Sequence, residues 1–343
     1  MNKKLISIIK YSLFFAVGIG MLWLTFRNQD FSSILQKIKN VHSGWLLLSV
    51  SVAVLAHLSR THRWNMMIEP LGYKPRFINT FWALCAGYFA NLAIPRIGEI
   101  TRCGLLSKAE DVPFNELIGT VIVERVMDVL MLLLCLLLVA ITQFDLIGGF
   151  LTENIFAPMG SKFSTFTAPT LWIIGLAVVA IGVAGWKLLS RTEKFKSLLH
   201  KMSTLLKGIL DGVKSVKRVK NIPLFVFHTV FIWIMYFMAN YFCFFALDST
   251  SGLDAKAGLF ILVIGGLGMS APVQGGIGAY HWIVSRGLMI YGIAETEGIV
   301  YATVVHGYQT VLVIALGAIG FFVLMATGKK SKVNDGLQAN HSK

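Results

Sequence analysis

Arg96, Glu99 and Arg102 stand three residues apart in the stretch NLAIPRIGEITRCGLL, residues 91–106, among apolar side chains and just after Pro95. On a helix this spacing sets all three on one face. Charge inside a bilayer costs about 2.5–3.5 kcal/mol per group on insertion scales, so such residues need partners, water or an interface. An Arg-Glu-Arg ladder leaves one positive charge over, and the planar guanidinium fork matches phosphate oxygens. Two readings follow: a site completed by an anionic headgroup, or an arginine pair snorkelling at the inner interface.

A second cluster lies in VIVERVMDVLML, residues 121–132. Glu124 and Asp128 are four apart and share a helical face, with Arg125 one step round. They suit three roles: partners for Arg96 and Arg102 that fix the segment around Pro95, a titrating carboxylate that couples protons to transport, or an interfacial cap. The third cluster is Gln274, Gly275, Gly276, Gly278, His281 and Arg286, just after Pro272. Glycines let backbone turn and approach a ligand closely. A half-helix opening at Gly278 would aim free N–H groups and a positive dipole end at an anion, with Arg286 adding a full charge. His281 reads as a ligand, a proton carrier or a packed histidine.

These residues need a scaffold, and composition says which. The 343 residues are 55% hydrophobic and 14% charged, with mean hydropathy +0.69; soluble domains carry about a quarter charged residues. Apolar runs recur along the chain, so the expected class is an all-α polytopic membrane bundle, because lipid requires backbone polar groups to bond within their own segment. The net charge of +14 collects between apolar spans, which points to anionic lipid rather than nucleic acid. Cys85, Cys103, Cys135 and Cys243 are scattered without metal or disulfide spacing, and read as small core residues.

The expected spans are about 5–26, uncleaved, then 44–64, 117–142, 168–190, 221–247 and 299–327. Interrupted apolar regions lie at about 77–107, broken at Pro95, and 257–293, broken at Pro272 and glycines. Residues 1–328 form one integral membrane domain and 329–343 a polar, disordered cytoplasmic tail. The lysine-rich segment from Lys187 to Lys220, with apolar residues at helical spacing from Phe195 to Val216, predicts a cytoplasmic amphipathic helix at about 191–220. It reads equally as a topology-setting linker or as a gatherer of anionic lipid. Basic residues near both ends put both termini inside. Arg60 and Arg63 then mark the cytoplasmic end of the second span. Parity makes 77–107 enter and leave from the cytoplasmic side and 257–293 from the outer side, each as a re-entrant hairpin or two short crossings. Paired interrupted segments in opposite orientation suggest an inverted repeat with its substrate site at the breaks.

The stretches NLAIPRIGEITR, ERVMD and PVQGGIGAYH, in this order and at these separations, resemble the signature of the lysylphosphatidylglycerol synthase transmembrane-region family, also described as flippase-like, over roughly residues 10–325. The match falls on Asn91, Pro95, Arg96, Gly98 and Glu99, on Glu124, Arg125 and Asp128, and on Pro272, Gly275, Gly276 and Gly278. Many relatives have an acid soon after the glycines, where this chain has Tyr280 and His281. The full synthases add a soluble aminoacyl-transferring domain; the resemblance here covers only the membrane half and implies lipid translocation or a lipid-carrier role.

The expected function is movement of an anionic phospholipid or lipid-linked headgroup across a bacterial-type inner membrane, with membrane lipids as partners and no cofactor or metal. The alternatives are a membrane-embedded transferase, or a subunit of one, acting on a polyprenyl phosphate, and a small-solute or ion transporter. No phosphate loop of the Gly-x-x-x-x-Gly-Lys kind and no His-Glu-x-x-His stands in the sequence, which weighs against catalysis. The sequence assigns no oligomeric state.

Overall fold

The computed structural model describes residues 16–27, 29–144 and 216–341, with side chains described as far as Ala326. The expected span at 168–190 and nearly all of the amphipathic helix at 191–220 lie outside the described residues. The chain divides into two units, residues 1–139 with 216–343 and residues 140–215. The first holds every site residue named above.

Within it the helices are α1 (Ala16–Phe26), α2 (Phe31–Lys39), α3 (Ser43–Ile68), α4 (Phe77–Ala93), α5 (Gly98–Glu110), α6 (Phe114–Thr142, which runs into the second unit), α7 (Ile222–Phe244), α8 (Ala255–Ser270), α9 (Ala279–Met289) and α10 (Glu295–His341). Local sequence sets several boundaries. Asp30, Asn221 and Asp254 each accept a backbone N–H in the first turn of the helix they cap, which satisfies donors that lack a partner within the helix. Pro223 lies in the first turn of α7, where its missing N–H costs nothing. Gly72 and Asp111, both at positive φ, close the turns after α3 and α5. Two outcomes differ from expectation. Helix α2 was not legible as a separate element. The tail is helical through His341: its lysines are good helix formers and no proline follows Glu295.

Among the described residues, four helices are long and apolar enough to cross a bilayer: Ser43–Leu71, Phe114–Thr142, Ile222–Phe244 and Glu295–Ala326. Their outward faces carry Leu47, Leu133, Leu137, Phe227 and Phe322, all exposed. Lipid, not water, is the solvent that accepts such a surface. The protein is an all-helical integral membrane protein.

Inside, α7 packs on α3, α10 on α4, α4 on α5, α9 on α10 and α8 on α9. Two apolar cores result. One joins Phe244, Tyr280, Val284, Leu288, Ile299 and Tyr301. The other joins Trp64, Ile68, Leu106, Leu117, Val121 and Phe225. Helix α10 lies directly on the α4 backbone. A methyl group at Gly317 would sit 2.7 Å from the Cys85 carbonyl oxygen, and one at Gly320 2.6 Å from that of Trp82; glycine at both positions permits the approach.

Candidate functional site

The first break runs from Ile94 to Ile97. Ile94 is extended, Pro95 supplies no N–H, and Arg96 has a φ of 64°. The helix therefore restarts only at Gly98, whose N–H donates to Asn91 Oδ1 at 2.7 Å. Asn91 thus folds back to satisfy the first donor of α5. Gly98 and Gly87 bring α5 against α4: a methyl group on Gly98 would lie 2.1 Å from the Gly87 carbonyl oxygen. Arg96, Glu99 and Arg102 consequently do not share a helical face. Arg96 precedes the helix and is exposed, and it has no ion-pair partner among the described residues.

The other charges meet inside the protein. Glu124 on α6 is wholly buried and takes Arg102 Nη2 at 3.0 Å and Arg60 Nη2 at 2.5 Å. Arg60 Nε also donates to Glu124 Oε1 at 2.7 Å, and Arg60 Nη1 donates to the Tyr236 hydroxyl at 2.9 Å. Asp128, one turn further along α6, pairs with Arg60 and accepts from Arg63 Nη2 at 2.8 Å. Arg125 bonds Glu99 Oε1 at 2.5 Å. The Arg102 guanidinium lies over the Trp64 ring, and the Trp64 indole N–H bonds Thr120 Oγ1 at 2.8 Å.

Arg60, Arg63 and Arg102 are at most 5% exposed. They face two carboxylates, the wholly buried Glu124 and the partly buried Asp128, which leaves one positive charge in excess. Including the half-exposed Arg125 with Glu99 leaves the excess unchanged. Buried atoms without a hydrogen-bond partner among the described residues include the donors Arg63 Nε and Arg102 Nε, the Tyr88 hydroxyl, and the acceptors Glu99 Oε2 and Glu124 Oε2, the last in ion-pair contact with Arg102. The Tyr88 hydroxyl lies within electrostatic reach of Arg60, Arg102 and Glu124. Buried charge is costly unless paired, and a fixed positive excess is compensated by an anion.

Arg60 and Arg63 carry a role that the sequence reading did not give them. Near the end of α3, they are also the centre of the buried network, because α3 turns that face toward α6 and α7. Their spacing carried the signal. His57, Arg60 and Arg63 stand three apart within an apolar helix, so they form one polar stripe. Asp128 accordingly pairs with Arg60 and Arg63, and with Arg125 at 3.7 Å; Glu124 takes Arg102, and neither acid takes Arg96.

The second break runs from Ala271 to Gly278. Gly275, Gly276 and Gly278 have φ of 57°, 74° and 81°, a region that glycine enters without a Cβ penalty. Gln274 opens a short 3₁₀ turn with Gly275 and Gly276. α9 begins at Ala279, with Gly278 offering no side-chain cap. His306 Nε2 meets the Gly275 carbonyl oxygen at 2.8 Å, and the His281 ring lies 4.9 Å from that of His306. Arg286 does not join this tip. It is 47% exposed and pairs with Glu295 at 2.8 Å, because the helical turn at its position faces the start of α10.

The two breaks adjoin. A methyl group on Gly275 would lie 2.9 Å from Leu92 Cδ2, at the end of α4. Asn91, Pro95 and Gly98 shape the first tip, and Gly275, Gly276 and Gly278 the second. The charges gather on the α3, α5 and α6 side.

A family model described as lysylphosphatidylglycerol synthase TM region matches residues 9–317. A UPF0104 membrane protein of Methanocaldococcus jannaschii is 26% identical over 227 residues, covering 61% of this chain and 66% of that protein, just under two thirds of its length. No solved structure matches the chain.

Proposed function

The chain belongs to the lysylphosphatidylglycerol synthase transmembrane-region family, and on that premise we propose that it moves an anionic phospholipid or lipid-linked headgroup between the leaflets of a plasma membrane. The observation that carries this reading is the single positive charge left over in the buried network of Arg60, Arg63, Arg102, Glu124 and Asp128. A phosphate brings the missing negative charge, and its oxygens suit the unused Nε donors of Arg63 and Arg102. Arg96, exposed and just ahead of the helix that carries Arg102, is the first cation the headgroup meets. Arg102 is the next.

Helix lengths support the accompanying topology. α5 and α9 have 13 and 11 residues, so at 1.5 Å per residue they reach roughly 20 and 16 Å, short of the ~30 Å hydrocarbon core. Each broken pair then enters and returns on one side, the first from the cytoplasm and the second from outside. Both termini are cytoplasmic in this arrangement. The glycine-lined tips meet within the membrane, where the headgroup crosses.

The test is reconstitution into vesicles with a fluorescent anionic lipid, using a membrane-impermeant quencher to read sidedness. Wild type equilibrates the label across the bilayer. Arg102→Gln brings the rate to that of empty vesicles, and Arg102→Lys, which keeps the charge, retains part of it. Full activity in Arg102→Gln removes the network from the mechanism. Conversion of a labelled sugar nucleotide and polyprenyl phosphate into a lipid-linked sugar would replace transport by catalysis.

A further inference from the structure

The second break holds a polar cluster that the transport reading leaves without work. His281 on the first turn of α9 and His306 on α10 are each 7% exposed, with ring centroids 4.9 Å apart. Tyr280 lies 5.5 Å from His306, and Phe26 of α1 lies 6.2 Å from His281. The Gly275 carbonyl can only accept, so His306 Nε2 carries the proton that it donates there. In the neutral ring, His306 Nδ1 is then the basic atom. His281 Nδ1 is buried without a partner among the described residues, and so is the Tyr280 hydroxyl.

Among the described residues, the surroundings of this pair hold no counter-charge. The electrostatic neighbours of His281 and His306 are one another and the Gly275 backbone; those of Tyr280 are Tyr308 and Cys243. None is a carboxylate. His281 also lies in the N-terminal turn of α9, whose positive dipole end opposes a further positive charge. A lone proton here is a buried cation without compensation, which is unfavourable. An anion beside the glycine backbone of the same break reverses the balance, because it offsets both the proton and the helix end.

We propose that the His281–His306 pair is a proton-binding site that fills together with an anion at the second break, so that each anion bound there takes up one proton. The proposal rests on the transport reading and gives it a coupling ion. The proton enters from solvent, resides on one imidazole and is shared with the other. It leaves when the anion leaves. By linkage, anion and proton each tighten the binding of the other by the same factor. Carrying a proton with a monoanionic headgroup makes the crossing electrically neutral, which removes the membrane potential from its cost.

The experiment uses the full chain in neutral detergent, weakly buffered near pH 7, with a pH-indicator dye. Short-chain phosphatidylglycerol is the lipid anion, sulfate the free anion and short-chain phosphatidylcholine the zwitterionic control of zero net charge. Neither anion titrates near neutral pH, so proton uptake belongs to the protein. The expected result is about one proton taken up per phosphatidylglycerol bound, with affinity falling about tenfold per pH unit on the alkaline side. An equal response to sulfate assigns the site to the bare anion; a response to the lipid alone assigns it to the headgroup in its acyl setting. In the double variant His281→Gln, His306→Gln, whose amide still bonds the Gly275 carbonyl, binding persists but uptake is lost and the affinity becomes independent of pH. Binding by wild type without proton uptake overturns the proposal, as does undiminished uptake in the double variant. Loss of both anion binding and lipid movement in wild type brings down the transport reading itself.

Discussion

Arg102 sets its guanidinium carbon 4.5 Å above the Trp64 ring centroid while its Nη2 reaches Glu124 Oε2 at 3.0 Å. The aromatic face and the carboxylate hold one cation from two sides, and both contacts strengthen when water is excluded. α5 is thereby tied to α3 and α6 through a single side chain. The network is a junction of helices as well as a charge store.

Glu124→Gln follows directly. The change leaves three buried guanidinium groups facing Asp128 alone. Breaking a buried pair by removing one partner costs about 3–5 kcal/mol, so thermal unfolding in detergent should move down by several degrees. An unchanged midpoint would show that the three arginines do not depend on Glu124.

Arg96→Gly separates stability from function. Arg96 holds a φ of 64°, a conformation that costs a side-chain-bearing residue about 1–3 kcal/mol. Glycine relieves that strain, so the variant should unfold at a higher temperature than wild type. The same variant should move labelled anionic lipid more slowly in vesicles. A variant more stable and equally active would mean that the arginine is kept for neither reason.

Asn91→Ala removes the side chain that accepts the Gly98 N–H. Loss of such a cap costs about 0.5–2 kcal/mol. Gly98→Ala should be worse, because its methyl group meets the Gly87 carbonyl oxygen at 2.1 Å and α5 must move off α4. Gel filtration and thermal melts of the two variants should rank them in that order.

Arg286→Gln is the contrasting case. Its ion pair with Glu295 is half exposed, and such pairs contribute about 0–1 kcal/mol. Stability and lipid movement should both stay close to wild type. A collapse of transport in this variant would return Arg286 to the pathway.

The parts of the fold that were legible are those whose residue types act locally. Pro95 with Gly98, and Pro272 with three glycines, announce interrupted helices because proline lacks a donor and glycine admits positive φ. Long apolar runs announce spans for the same local reason. The burial of Arg60 and Arg63 was not legible because it depends on Glu124, Asp128, Thr229 and Tyr236, more than sixty residues away in sequence. A basic pair near a helix end looks alike whether lipid headgroups or buried carboxylates receive it. Arg286 failed the other way: proximity in sequence to the glycines suggested a tip residue, and helical rotation took it to Glu295. The His306 bond to Gly275 joins positions thirty-one residues apart, and no pattern within either segment signals it.

Helix α10 touches both tips. Gly317 and Gly320 seat it on the backbone of α4, the helix that leads into the first break, and His306 grips the carbonyl of Gly275 in the second. It therefore acts as a connecting rod. Any slide or tilt of α10 along its axis is felt at both breaks of the chain at once, so neither can shift on its own.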